Sequence, residues 1–203
     1  MQALLFEMPP RPGHEDHYFS HAARLRPILM QHDGLAFIER YKSQSRPNLI
    51  LSHSLWRDEA SIARWRTDRD HHNSQTAGRY RHFEDYRIRI GHVLQMHVQA
   101  AEFREWDKTG LYNDPKVTSD RYIAIIRTSK QPNREQGETF GSVTETDSFL
   151  TILEVASEDE GQTVISSARN DKNVTSALLA RVSRDYGMYD RTEAPQYFRP
   201  VER

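Results

Sequence analysis

The stretch Leu49-Ile50-Leu51-Ser52-His53-Ser54-Leu55-Trp56, then Asp58-Glu59-Ala60, Ile62-x-x-Trp65-Arg66, His71, Gln75, Gly78-Arg79 and Phe83-x-x-Tyr86-Arg87-Ile88, decides the fold. Residues 49–56, apolar at both ends and long enough, read as a strand. Asp58 supplies a side-chain acceptor for a helix start, and Glu59 places a negative charge in the first turn. Ile62, Trp65 and Arg66 open a helix that is expected to run to Gly78. From His82 to about Met96, Phe83, Tyr86, Ile88, Ile90 and Val93 punctuate a polar background and predict a further strand.

Working outward, residues 3–8 form a short apolar strand stopped by Pro9-Pro10-Arg11-Pro12-Gly13. Tyr18, Ala22, Leu25, Ile28 and Leu29 then recur at spacings of three and four, which predicts an amphipathic helix over 14–31. Pro27 within it predicts a kink or an early end. After Asp33-Gly34, residues 35–41 read as a strand, and the turn cluster at 43–47 leads back to residues 49–56. The order is βαββαβ, the split βαβ arrangement of ferredoxin-like α+β domains.

Residues 99–118 read as a linker with a short helix around Phe103 and Trp106. Beyond it, 121–127, 149–155 and 177–182 read as strands, 157–169 as a helix, and 186–203 as a tail. Strand, acidic cap and helix recur in 49–66 and 149–169 at an offset near 100, and Asp85-Tyr86 and Asp185-Tyr186 keep the same offset. The expected organisation is therefore one domain over 1–98, the linker 99–118, and a degenerate second copy over 119–203 that lacks a counterpart of the first long helix.

Lys plus Arg (28) nearly balance Asp plus Glu (29), so no net field gathers nucleic acid or an anionic membrane. The absence of cysteine excludes disulfides, thiolate metal sites and thiol nucleophiles. Mean hydropathy is −0.82, no stretch has the roughly 18 apolar residues of a membrane span, and residues 1–7 lack a signal-peptide pattern. A cytoplasmic protein is expected.

Taken together, the ordered residues from Leu49 to Val93, with Pro12-Gly13 before the first helix and Asp33-Gly34-Leu35-Ala36-Phe37-Ile38 after it, resemble the antibiotic biosynthesis monooxygenase (ABM) superfamily over about half of the chain. The resemblance implies a dimeric α+β barrel made from two four-stranded sheets. A ligand cavity lies between each sheet and its helices. A homodimer is the expected assembly, with a tandem chain completing the barrel by itself as the other arrangement. The family's activities are cofactor-free oxidation of phenols and quinols and heme degradation, alongside domains with no assigned role. Fold alone does not choose among these.

Triplet oxygen reacts poorly with closed-shell molecules, whereas a carbanion or phenolate can hand it an electron. A proton acceptor in a water-poor pocket meets that demand. The resemblance points to Trp65 as the pocket wall and His71 as the base, with His72 as the alternative. Six residues apart on one helix, Trp65 and His71 point about 120° away from each other. The bland readings are a core tryptophan and a solvated helix-end histidine. Ser61 stands where some cofactor-free relatives carry an Asn that helps hold the substrate or bound oxygen. The heme-degrading pattern has an Asn where this chain has Phe6-Glu7, and an iron-ligating His where it has Gln75. Glu7 is a candidate cavity carboxylate, and His53 is a second base or a hydrogen-bonded interior residue. Arg87, with Arg89 on the same strand face, could hold an acidic group or be solvated.

His14, His17 and His21 share a helix face and are read as a solvated stripe, with no metal assigned. The favoured expectation is a cofactor-free oxygenase taking a small aromatic or quinol-like substrate and O2. Heme chemistry, and a non-catalytic module whose second half plugs the barrel, are the alternatives.

Overall fold

In the computed structural model, described over residues 1–99, 119–133 and 136–202 with the backbone of Arg104–Glu105, hydrogen-bonded strands close into a barrel within one chain. The first half comprises β1 (Gln2–Met8), α1 (Glu15–Met30), β2 (Leu35–Ser43), β3 (Ile50–Trp56), α2 (Glu59–Thr67), α3 (Arg69–Ala77), a π-helical turn (Gly78–His82) and β4 (Arg87–Val98). Next come β5 (Arg104–Glu105), β6 (Tyr122–Thr128), β7 (Glu138–Ser142), β8 (Phe149–Val155), α4 (Glu158–Arg169) and β9 (Val174–Gly187). The linker helix expected within 99–118 lies outside the described residues, apart from β5, which pairs with Gln95 and Met96 of β4.

Strand order is β1-β3-β2-β7-β8-β6-β9-β4, and β4 pairs back onto β1. Each half has the same internal order, β4-β1-β3-β2 and β9-β6-β8-β7, so the tandem arrangement is built into the pairing. The halves join at β2–β7 and along the long β4–β9 ladder from Arg87↔Gly187 to Val98↔Ser176. The second half thus occupies the place that a second copy takes in a two-chain barrel.

Period-two alternation places one side of every strand inside the barrel. Leu5, Leu51 and Val93 meet Ile125, Phe140 and Leu178 there. Phe140 is fully buried, and burial of such a side chain contributes roughly 1.5–3 kcal/mol. The opposite side is covered by helices. Leu25, Trp56, Ile62 and Ile90 pack under α1 and α2, while Ala124, Leu153 and Leu179 pack with Ile165 and Ala168 of α4.

Five local expectations need correction. The helix from Asp58 to Gly78 is two helices. Asp68 leaves helical geometry at ψ 135° and its side chain accepts from the His71 amide at 3.0 Å, starting α3 as a new cap. Pro27 does not end α1, which continues through it to Met30. β4 begins at Arg87 rather than His82, since 78–82 form the π turn and Phe83 instead bridges Pro10. The turn-rich segment before Thr146 contains β7, whose inward apolar residue is Phe140 alone, and β9 is longer than the expected 177–182 because it pairs with both β4 and β6. Among the described residues, no helix is long and apolar enough to cross a membrane.

Candidate active site

Between the first half's sheet and its helices lies a cavity of about 200 Å³. Even-numbered residues of β1, β3 and β4, among them Leu4, Phe6, Ser52, Ser54, Ile88 and Ile90, form its floor. α1 supplies His17, Tyr18 and His21, α2 supplies Trp65 and Arg66, and α3 supplies His71 and Gln75. The C-terminal segment closes one end with Tyr186, Arg191, Gln196 and Phe198.

The break at Asp68 changes the relation between Trp65 and His71. Instead of diverging around one helix, their rings stack at 4.1 Å with 14° between planes. His71 Nδ1 lies 2.8 Å from the Trp65 carbonyl. A carbonyl only accepts, so this contact places the proton on Nδ1 and leaves Nε2 with the lone pair. Burial pushes this imidazole down to about 4, against smaller upward effects from the Trp65 carbonyl and Asp68. His71 is therefore neutral at pH 7 in the ligand-free protein, a hydrogen-bond acceptor at Nε2.

Arg66 is the unusual member of the wall. Its Nε and Nη1 are buried with no hydrogen-bond partner. Glu59 lies close enough to feel its charge, yet the Glu59 carboxyl has its own buried, unpartnered oxygen and is raised chiefly by burial. Two buried, unsatisfied guanidinium nitrogens beside a mainly apolar space suit an anion.

The tail is pinned over the cavity by Arg79, 2% exposed, whose Nη1 donates to Tyr86 Oη at 3.0 Å and Met188 O at 2.6 Å and whose Nη2 donates to Arg199 O at 3.1 Å. Gln196 Nε2 donates to Gln75 Oε1 at 3.0 Å, tying the tail to α3. From the sequence, 186–203 reads as a tail. The Arg and aromatic residues spaced along it were its only signal of a wall.

Of the candidate residues, Trp65 and His71 meet in the cavity. His72 is exposed and stacks on Phe198, outside the lining. His53, Glu7 and Arg87 alternate to the other face of their strands. His53 is buried inside the barrel with Nδ1 at 3.4 Å from Leu4 O, and burial pushes it down to about 4. Glu7 pairs with Arg89 and Arg46. Arg87 donates to Asp185 at 2.6 Å across the β4–β9 ladder.

Ser61 is buried at the start of α2, where Asp58 Oδ1 accepts from both its amide and its hydroxyl at 2.7 Å. Gly34 passes so closely that a Cβ there would lie 2.1 Å from Ser61 Oγ. Ser61→Ala is expected to cost about 1 kcal/mol of stability through the lost buried bond and to leave ligand affinity unchanged. Thermal melts and a binding isotherm together check this.

The family model for antibiotic biosynthesis monooxygenase matches residues 1–77. A Pyricularia oryzae protein named jasmonate monooxygenase ABM is 35% identical over 221 residues, covering 99% of this chain and all of the relative. Among solved structures, an anthrone oxidase-like protein covers 96% of both chains at 9% identity and a TM-score of 0.43. PA3566 from Pseudomonas aeruginosa covers 44% of this chain and 89% of its own at 15% identity and a TM-score of 0.40. Matched along its whole length to the Pyricularia protein, with the family's segment supplying β1 to β3 and the helices α1 to α3 beside the cavity, the chain belongs to the antibiotic biosynthesis monooxygenase family.

Proposed function

We propose that this protein is a monooxygenase acting on a small, largely apolar carboxylate bound in the helix-covered cavity, with Arg66 anchoring the carboxylate. The observation that carries this reading is that Nε and Nη1 of half-buried Arg66 are buried without a hydrogen-bond partner in a mainly apolar wall. The Pyricularia relative's name supports it, since jasmonate is a small apolar carboxylate. Trp65 offers a flat wall and His71 a lone pair for a proton acidified by a neighbouring carbonyl or ring. The stacked Trp65–His71 pair also suits a phenol or quinol ring, which is the second reading.

A heme does not fit these residues. The cavity of about 200 Å³ falls below the roughly 300–1,000 Å³ of pockets for drug-sized ligands, and a porphyrin needs more still. Gln75 also stands where the heme-degrading pattern of the family would have an iron-ligating His. We therefore infer oxidation in which the substrate supplies the electrons. An activated CH2 becomes C=O, one oxygen atom enters the product and the other leaves as water, so one O2 is consumed per substrate. The second half fills the barrel interior and leaves this cavity open, which favours a ligand site over a plugged module.

The test follows oxygen uptake with jasmonate, its methyl ester and a hydroquinone, without heme or added reductant. The acid is expected to be the preferred substrate. Arg66→Gln is expected to raise its KM roughly 10- to 100-fold, the scale of a lost charged hydrogen bond, and to leave the ester's unchanged. An ester used as well as the acid, or an unchanged KM in Arg66→Gln, overturns the anchor. Uptake with the hydroquinone alone shifts the assignment to the second reading.

A further inference from the structure

We infer that His14, His17 and His82 form a binding site for one divalent transition-metal ion at the mouth of the cavity. One ligand nitrogen from each residue lies within 4.8 Å of the others. His14 Nδ1 and His82 Nδ1 are already 2.9 Å apart, and the His17 and His82 rings stand 4.8 Å apart. Metal–imidazole bonds of about 2.0–2.1 Å in tetrahedral geometry put ligand nitrogens about 3.3–3.4 Å apart. The separations lie within about 1.5 Å of that spacing, and exposed His17 has room to turn.

The backbone already holds the two contributing segments together. His14 and His17 come from the start of α1, and His82 ends the π turn 68 residues later than His14. The Arg11 amide donates to the His82 carbonyl at 2.8 Å, and the His14 amide donates to the Arg11 carbonyl at 2.9 Å. The π turn is itself a rare backbone form concentrated at functional sites. The helical spacing of His14, His17 and His21 suggested a stripe, but the fold exchanges one member. His21 turns to Ser74 Oγ at 3.1 Å, and His82 takes its place.

Three imidazoles without a carboxylate or thiolate suit Zn, Cu, Fe or Ni rather than Mg or Ca. Three protein ligands also leave coordination positions open, as in catalytic rather than structural sites. His17 and His82 both line the cavity, so an open position would face its interior. Arg81 adds positive charge beside His82 and moderates the affinity.

Full-length protein stripped with a chelator and dialysed is titrated with Co2+, following visible absorption and equilibrium dialysis. The expected result is one Co2+ per chain, displaced by Zn2+. His14→Ala and His82→Ala are each expected to weaken binding by more than about 100-fold, since even the outer partners of metal ligands act on a 10- to 100-fold scale. His17→Asn, at an exposed position, serves as a third variant should the others fail to fold by circular dichroism. His71→Ala is expected to bind Co2+ as the unaltered protein does. Binding without a one-to-one end point, or full affinity in the folded His14 and His82 variants, overturns the site. Because the readout is ion binding rather than oxygen uptake, its failure and failure of the carboxylate oxidation are separately visible.

Discussion

Glu7→Ala is expected to lower stability by about 3–5 kcal/mol while leaving affinity for a cavity ligand unchanged. Glu7 and Arg89 have side chains only 6% and 5% exposed, and Arg89 Nη2 donates to Glu7 Oε1 at 2.5 Å. The other Glu7 oxygen accepts from Arg46 at 3.2 Å, and Arg46 is also paired with Glu138 on β7. Arg89 reaches across to Glu154 on β8 at 3.0 Å. One carboxylate therefore links strands of both halves across the barrel mouth. Among the described residues, removing it leaves the buried Arg89 guanidinium with mostly exposed Glu154 as its carboxylate partner. The loss measures this uncompensated charge more than any net gain from the pair. Glu7→Met combined with Arg89→Met is accordingly expected to recover most of the loss. Urea midpoints of the single and double variants test both statements. A cost below about 1 kcal/mol for Glu7→Ala would mean that solvent reaches Arg89 and that the pair behaves as a surface bridge.

The same residue shows what could be read in advance. Strand alternation around Leu5 placed Glu7 on a face correctly, but which face met the helices depended on how the second half closed the barrel. Once β6–β9 fill the interior, Glu7, His53 and Arg87 turn away from the ligand space and Ser52 and Ser54 turn towards it. Element order in the first half was legible because Leu49 to Ile90 carries strong periodicity and an acidic cap. β7 was hidden because five residues including Gly141 bury only Phe140 fully. The Trp65–His71 stack was hidden by one dihedral angle. Asp68 reads equally well as a helical residue or as a cap, and helical arithmetic across an unrecognised break gives the wrong direction. Arg66, the Arg79 clasp and the closing tail involve contacts across more than a hundred residues in part, and no local pattern reports them.

His71→Ala is expected to lower kcat for the carboxylate roughly 10²- to 10⁴-fold, the usual contribution of a positioned proton acceptor, with little change in KM. KM stays because the anchor, Arg66, is on α2 and keeps its place. The difficulty for a base is strength, since an imidazole held down to about 4 takes a proton reluctantly at pH 7. A carboxylate entering the same low-dielectric cavity supplies negative charge beside the ring and favours the imidazolium, moving the midpoint up towards the ordinary value. The substrate would then help to tune the group that deprotonates it. Titration of the His71 Hε1 resonance by NMR separates the possibilities. In ligand-free protein the midpoint is expected near 4, and with bound jasmonate it is expected to rise. A midpoint that stays low with ligand bound, together with a His71→Ala variant that keeps most of its kcat, would reduce His71 to a packing partner of Trp65 and leave Arg66 as the only assigned role at the site. A rise without loss of kcat in the variant would show a nearby anion but no proton transfer through this nitrogen.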